Sequence, residues 1–357
     1  MPLDLKTLVK NLSEIAAPSG HEGPVRELLR QEWATLVDEF QTDGLGSLIG
    51  IKRGMGEEPR RRIMLCAHMD EIGMVVAEVR EGFIRTVDIY GTDYRALLSE
   101  RVLVHGRRTL QGVFGAAPPH MARSRKKYPT AEELWIDVGL PADEVADLVR
   151  IGDLVTFDST VIQLKGEKLA GKSFDNRVSL AALTLCLEEL KHREHVWDVI
   201  AVASAQEEVG AHGALTAAYL IQPDIAIALD TTFGTQTGVG DDEGFALGGG
   251  PTLGLGPNFH PRLYKAAREI ASSLEMKFQT EVLPGDSGTD AWSIQVSRDG
   301  VPSLLLSIPI RNMHTPVEIV DLRDITRVGR FLAAFIAGLS PDFLAEIAWN
   351  TRKDNSA

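Results

Sequence analysis

The sequence predicts an α/β fold: a mainly parallel mixed sheet with helices on both faces, carrying an inserted small β-barrel-like domain. Three observations lead there. Four largely apolar runs lie at residues 63–67, 199–203, 225–229 and 303–308, and the first is continuous rather than alternating, the pattern of a strand buried on both faces. Amphipathic helical stretches lie between them, and such alternation favours parallel pairing under helical cover. From residue 74 to 164 the texture changes to short β-type pieces set between Gly, Pro and Asp turns.

The elements follow in order. Leu5, Leu8, Val9, Leu12 and Ile15 recur at helical spacing and predict a first helix that stops at Pro18-Ser19-Gly20. A second runs through Val25, Leu28, Leu29 and Trp33, and a Gly-bounded strand follows near residues 47–51. The run 63–67 ends at His68. Strands are expected at 83–87, 101–104, 134–138 and 154–157, with little helical periodicity between them. After Gly171 a helix runs through Val178, Leu180, Ala181, Leu183, Leu185 and Leu187. Helices near 211–220 and 261–274 separate the later apolar strands, and a last helix covers about 322–337. The expected division is a discontinuous main domain, residues 1–73 and 165–357, around an insertion at 74–164. Gly248-Gly249-Gly250 marks a tightly turning loop.

Composition narrows the function classes. A chain of 357 residues, 44% hydrophobic, can bury the cores of two domains. A formal net charge of -13 opposes any general grip on phosphate backbones, so no nucleic acid is expected as partner. The one basic run, Arg123-Ser124-Arg125-Lys126-Lys127, reads as a solvated loop or an oligomer contact. The N-terminal residues carry no basic-then-apolar export pattern, and no stretch approaches ~20 uninterrupted apolar residues, so no membrane span is expected. Cys66 and Cys186 lie in apolar surroundings, which indicates buried thiols and a cytoplasmic protein.

The chemistry is positional. His68 follows one buried run, Glu207 and Glu208 follow another by way of Ser204-Ala205-Gln206, Asp230 follows a third, and His314 lies a few residues past the fourth. Ligands of open α/β sheets bind beyond the carboxyl ends of strands, so these groups can converge on one rim. A histidine alone after a strand is commonly a hydrogen-bonded core residue. Asp70, two residues on, can accept the second ring N–H of His68 and fix the tautomer a metal requires. Asp175 stands where a helix begins, and reads either as an N-cap or as a carboxylate bridging two cations. The adjacent Glu207 and Glu208 are the least ordinary feature, because two carboxylates leaving a buried strand repel and lose solvation unless cations sit nearby. Their roles divide into Glu208 as metal ligand and Glu207 as proton acceptor from an attacking water.

Asp230 could equally close an Asx turn or cap a helix, and His314 is a lone loop histidine. As a set the five candidate ligands, His68, Asp175, Glu208, Asp230 and His314, mix imidazole with carboxylate and suit two divalent ions: zinc, cobalt or manganese. His212 is expected on the helix after the Glu pair. His120 and His260 are loop residues without evident partners. Asp290 is expected to cap a helix or to support the ligands from behind. Gly285-Asp286-Ser287-Gly288 lacks the spacing of a nucleophile elbow.

Six ordered segments carry a resemblance. They are His68-Met69-Asp70-Glu71-Ile72-Gly73, Ser173-Phe174-Asp175-Asn176-Arg177, Gln206-Glu207-Glu208-Val209-Gly210, Asp230-Thr231, Ser287-Gly288-Thr289-Asp290-Ala291 and Met313-His314-Thr315-Pro316-Val317-Glu318. Together the chain resembles the tetrahedral aminopeptidases, the glutamyl and deblocking aminopeptidase family. The resemblance implies that His68, Asp175 and Asp230 hold one metal, that Asp175, Glu208 and His314 hold the other, and that Glu207 is the catalytic carboxylate. It also implies that the insertion is a dimerisation domain and that dimers build a homo-oligomeric dodecamer acting on peptide substrates. Residues 112–120 match the family's insertion only loosely. The rival readings are another amide hydrolase, a deacylase or carboxypeptidase, and a non-catalytic assembly module. Selectivity for the N-terminal residue is expected from loops at 232–260 and 284–292.

Overall fold

The four apolar runs form the middle of one sheet. In the computed structural model, which describes residues 3–117 and 129–349, the strands Asp198–Ser204, Arg62–His68, Ile225–Phe233 and Ser303–Arg311 lie side by side in that order, all parallel. Their side chains alternate between two cores, as strand geometry requires. Ile63, Leu65 and Ala67 face one core, with the helices Leu5–Glu14, Gly23–Trp33, Phe174–Glu189 and Leu322–Ala337. Met64 and Cys66 face the other, with His212–Ile221 and Asp290–Ile294. All polar groups that leave these strands at their carboxyl ends therefore emerge at one rim.

The mixed character of the sheet comes from its edges. Leu48–Lys52 and Glu39–Thr42 extend one side antiparallel, and Glu318–Asp321, Lys168–Gly171 and Ile162–Gln163 extend the other. Thr252–Leu255 pairs antiparallel to Ser303–Arg311 and parallel to Gln279–Val282. Most of these strands are short and partly polar, so they leave no continuous apolar run. Ile225–Phe233 also runs four residues past its expected end, which places Asp230 inside the strand, paired with Ser307, and not in an Asx turn or helix cap.

Six strands between residues 74 and 157 close into an antiparallel barrel: Met74–Arg80, Phe83–Asp88, Trp135–Asp137, Thr109–Gly115, Arg101–His105 and Leu154–Phe157, in that order around it. Alternate residues, among them Val76, Ile84, Val102, Phe114 and Phe157, fill its interior. A helix absent from the expected pattern, Ala142–Leu148, buries Val145 against that interior. Its seven residues are too few to display a helical repeat. Past the helix expected to be last lies another short one, Phe343–Ile347, which buries its two terminal residues. His120 and the basic run at 123–127 lie outside the described residues.

One buried charge cluster ties the first helix to the sheet. The Glu71 carboxylate accepts hydrogen bonds from Lys172 Nζ at 2.7 Å, from the Ala17 N–H at 2.8 Å and from the Ser173 hydroxyl, and Arg177 lies 3.9 Å away. Arg177 in turn donates to the carbonyls of Leu12 and Ala17. Burial pushes the Glu71 carboxyl up, but the cations of Lys172 and Arg177 outweigh it and hold it below the ordinary range. A depressed carboxylate stabilises the fold above its unfolded pKa, and that stability is lost as pH falls through the folded value. Glu71→Gln should therefore lower the unfolding free energy by about 3–5 kcal/mol at neutral pH. Urea titrations at pH 7 and pH 3 check this, and the gap between variant and wild type should narrow at the acid end.

Candidate metal centre

His68 is the last residue of its strand, and its ring is held from behind. Nδ1 lies 3.2 Å from the Asp70 carbonyl and 3.4 Å from the Asp70 carboxylate. Nε2 then points at three carboxylates: Asp175 at 3.3 Å, Asp230 at 3.8 Å and Glu207 at 3.9 Å. His314 Nε2 lies 3.5 Å from the other oxygen of Asp175 and 3.4 Å from Glu208. The donor atoms form two groups, His68 with Asp175 and Asp230, and Asp175 with Glu208 and His314. Within each group the atoms lie inside 4.8 Å of one another, a spacing that one cation bonded to each at about 2 Å can span.

Two further carboxylates fix the backbones that carry these groups. Asp70, fully buried, accepts the N–H of Glu207 at 3.0 Å and of Glu208 at 3.1 Å, and the Ser19 hydroxyl at 2.7 Å. Glu318, equally buried, accepts the N–H of Asp175 at 3.0 Å and of His314 at 3.1 Å. The sequence reading gave Glu318 no role. Its only signal there was a place four residues after His314, in the same segment. Asp175 does not cap its helix: Ser173 holds the N-cap position, and Asp175 and Asn176 keep non-helical backbone angles, joined by a cis peptide bond.

The electrostatics fit divalent cations. Asp175 Oδ1 and Glu208 Oε1 are buried and accept no hydrogen bond. Burial, reinforced by neighbouring carboxylates, pushes the Glu207, Glu208 and Asp230 carboxyls well above the ordinary range. Burial also pulls the two histidines down, but the facing carboxylates, Asp175 for both and Asp70 for His68, win and raise both. Asp175 is held low, because the histidines on either side outweigh its own burial. Without an ion, then, protons supply the positive charge that this ring of acids requires. The nitrogen and oxygen donors, with no thiolate among them, fit zinc, cobalt or manganese.

The other singled-out residues lie elsewhere. Asp290 is buried behind the site, accepting from the Ser204 hydroxyl at 2.5 Å and Cys66 Sγ at 3.2 Å, while Thr289 occupies the N-cap. His212 opens the helix after the Glu pair and is exposed. His260 does have partners: its ring accepts the Leu263 N–H as the N-cap of helix Pro261–Ser273 and packs on Trp349. A cavity of about 830 Å³ opens over the metal-ligand groups and Glu207. Its walls include residues 286–289 and Trp292, but from the loop expected at 232–260 only Thr232 and Phe233 reach it. Glu281 and Leu283, not foreseen, supply the rest of that side.

A family model described as M42 glutamyl aminopeptidase matches residues 46–331. The chain belongs to the M42 glutamyl aminopeptidase family. Lysyl aminopeptidase of Pyrococcus furiosus is 34% identical over 345 residues, covering 94% of this chain and 97% of its own length. Among solved structures, a TET aminopeptidase from a marine-sediment Thaumarchaeota archaeon superposes with a TM-score of 0.91 at 29% identity, over 96% of this chain and 99% of the other. The TET1 peptidase of Pyrococcus horikoshii, which can assemble into a tetrahedron or a large octahedral shell, gives 0.83 at 30% identity over 94% and 100%. M42 membership makes this a hydrolase of aminopeptidase type in a metal-dependent peptidase family. No helix among the described residues is long and apolar enough to cross a membrane.

Proposed function

We propose that the chain is a dinuclear metallo-aminopeptidase that removes the N-terminal residue of peptides, with Glu207 as general base. The observation that carries this is the sharing of Asp175: one carboxylate serves two donor groups, and Glu207 belongs to neither while lining the same cavity. His68, Asp175 and Asp230 would hold one divalent ion, and Asp175, Glu208 and His314 the other. Such ions acidify a bound water and polarise the scissile carbonyl. Glu207 takes the proton of the attacking water and returns it to the leaving amine. Asp70 keeps His68 in the tautomer with Nε2 free and aligns the Glu207-Glu208 backbone.

We extend the reading to assembly and place. The barrel, within an insertion at 74–164, would pair two chains through its exposed Phe83, Val87 and Val113, and such dimers would build a dodecamer, a state in which PhTET1-12s, 30% identical, was solved. Cys66 and Cys186 are both buried free thiols, which suits the cytoplasm.

Side-by-side assays on a peptide with a free N-terminus and its N-acetylated twin test the activity. Cleavage is expected of the free amine alone; preferential cleavage of the acetylated peptide would make this a deacylase. Metal loading gives a second expectation. Because Glu207, Glu208, Asp230 and both histidines hold protons unusually well in the ion-free chain, ion binding must displace some of them, and affinity must rise with pH. Zinc titration calorimetry in two buffers of different ionisation enthalpy at pH 6.5 should show net proton release, smaller at pH 8.5.

A further inference from the structure

Beyond the metal ligands, one wall of the cavity is built for a particular kind of side chain. Thr232 stands two residues after Asp230, on the same face of strand Ile225–Phe233. Ser307 is the strand partner of both Asp230 and Thr252. This row leads from the metal ligands to Glu281, whose two oxygens accept one hydrogen bond each, from the Thr232 hydroxyl at 2.6 Å and the Thr252 hydroxyl at 2.6 Å. Both donors orient the carboxylate and leave its remaining lone pairs free. Ser307 lines the same cavity, and its hydroxyl is buried without a hydrogen-bond partner. A buried hydroxyl without a partner is costly, and a ligand that supplies one removes that cost. Apart from the donor groups and Glu207, the charged residues lining the cavity among those described are Glu281 and Asp286, both acidic. Leu283 and Trp292 add apolar wall.

An apolar wall leading to a fixed carboxylate and the free Ser307 hydroxyl matches a methylene stem ending in a cation. Accepting the aminopeptidase reading above, we propose that this wall receives the side chain of the substrate's N-terminal residue and selects lysine or arginine, with Glu281 as the specificity-determining residue. Asp286 at the rim adds attraction without fixing geometry. A glutamyl side chain would place its charge against Glu281 and is disfavoured.

The test is a panel of lysyl, arginyl, norleucyl and glutamyl anilides on the metal-loaded enzyme. Norleucine copies the lysine stem without its charge. Lysyl kcat/KM is expected to exceed norleucyl by at least about tenfold, mainly through KM, with glutamyl lowest. In Glu281→Gln the lysyl-to-norleucyl ratio should fall about tenfold, and Glu281→Lys should bring glutamyl above lysyl. Norleucyl turnover equal to or above lysyl in the wild type would overturn the assignment without any variant. So would a Glu281→Gln enzyme that slows both substrates by one common factor. Failure to hydrolyse any free-amine substrate, with an acetylated one accepted, is a different outcome and would overturn the aminopeptidase reading itself, and this assignment with it.

Discussion

Glu207→Gln is expected to cut kcat by about 10²–10⁴, the usual share of a positioned general base, while metal content stays at the wild-type level. The side chain keeps its size and polarity, so the substitution removes only the ability to take and return a proton. Glu207 suits that task for three reasons. It stands outside both donor groups, lines the cavity, and lies 3.9 Å from His68 Nε2, beside the residues that would hold the ions. Its burial, mainly, raises its affinity for a proton, and cations placed beside it would bring that affinity back toward the working range. Steady-state kinetics paired with elemental analysis check the outcome. Near wild-type turnover with both ions bound would sink the assignment.

Asp175→Asn should have the widest effect of any ligand change: both ions lost together and activity below detection. Each oxygen of this carboxylate faces a different histidine, Oδ1 toward His68 and Oδ2 toward His314, so neither donor group survives its removal. Without the ions a water loses the acidity that metal binding gives it, and the nucleophile all but disappears. Asp230→Asn and Glu208→Gln each remove one group's ligand and should cost mainly one ion. The ion-free proteins supply the control. Asp175 lies between two histidines that hold its carboxylate low and charged, so ion-free Asp175→Asn should melt below ion-free wild type. Metal content unchanged in the variant, whatever its melting temperature, would make Asp175 a structural residue instead.

Much of this arrangement was legible in the sequence because it rests on the ends of long apolar runs. His68 and the Glu207-Glu208 pair follow buried strands, and such strands can only share one sheet and present one rim. Asp230 was harder: its strand continues through Thr231 and Thr232, and polar residues at the end of a run look like a turn until the Ser307 strand is seen beside them. Edge strands such as Glu39–Thr42 and Gln279–Val282 are short and half exposed, so nothing apolar announces them. Glu318 also reaches Asp175, 143 residues away, and Glu281 reaches Thr232, 49 away, distances that spacing rules do not cross. His260 looked unpartnered for a simpler reason: the helix it caps begins with Pro261, and the ring's contact with Trp349 is tertiary.

The order of the central strands bears on how the chain is made. Arg62–His68 leaves the ribosome early, yet its two neighbours in the sheet are Asp198–Ser204 and Ile225–Phe233. Until synthesis passes residue 233, this almost wholly apolar segment keeps at least one hydrogen-bonding edge open, and before residue 198 both of these parallel partners are missing. Open apolar edges invite pairing with other nascent chains, and parallel partners so distant close slowly. The barrel, whose six strands all fall between residues 74 and 157, can close during that interval and spend the waiting time folded. Vectorial synthesis thus leaves the strand bearing His68 waiting longer for its parallel partners than any other part of the sheet's centre.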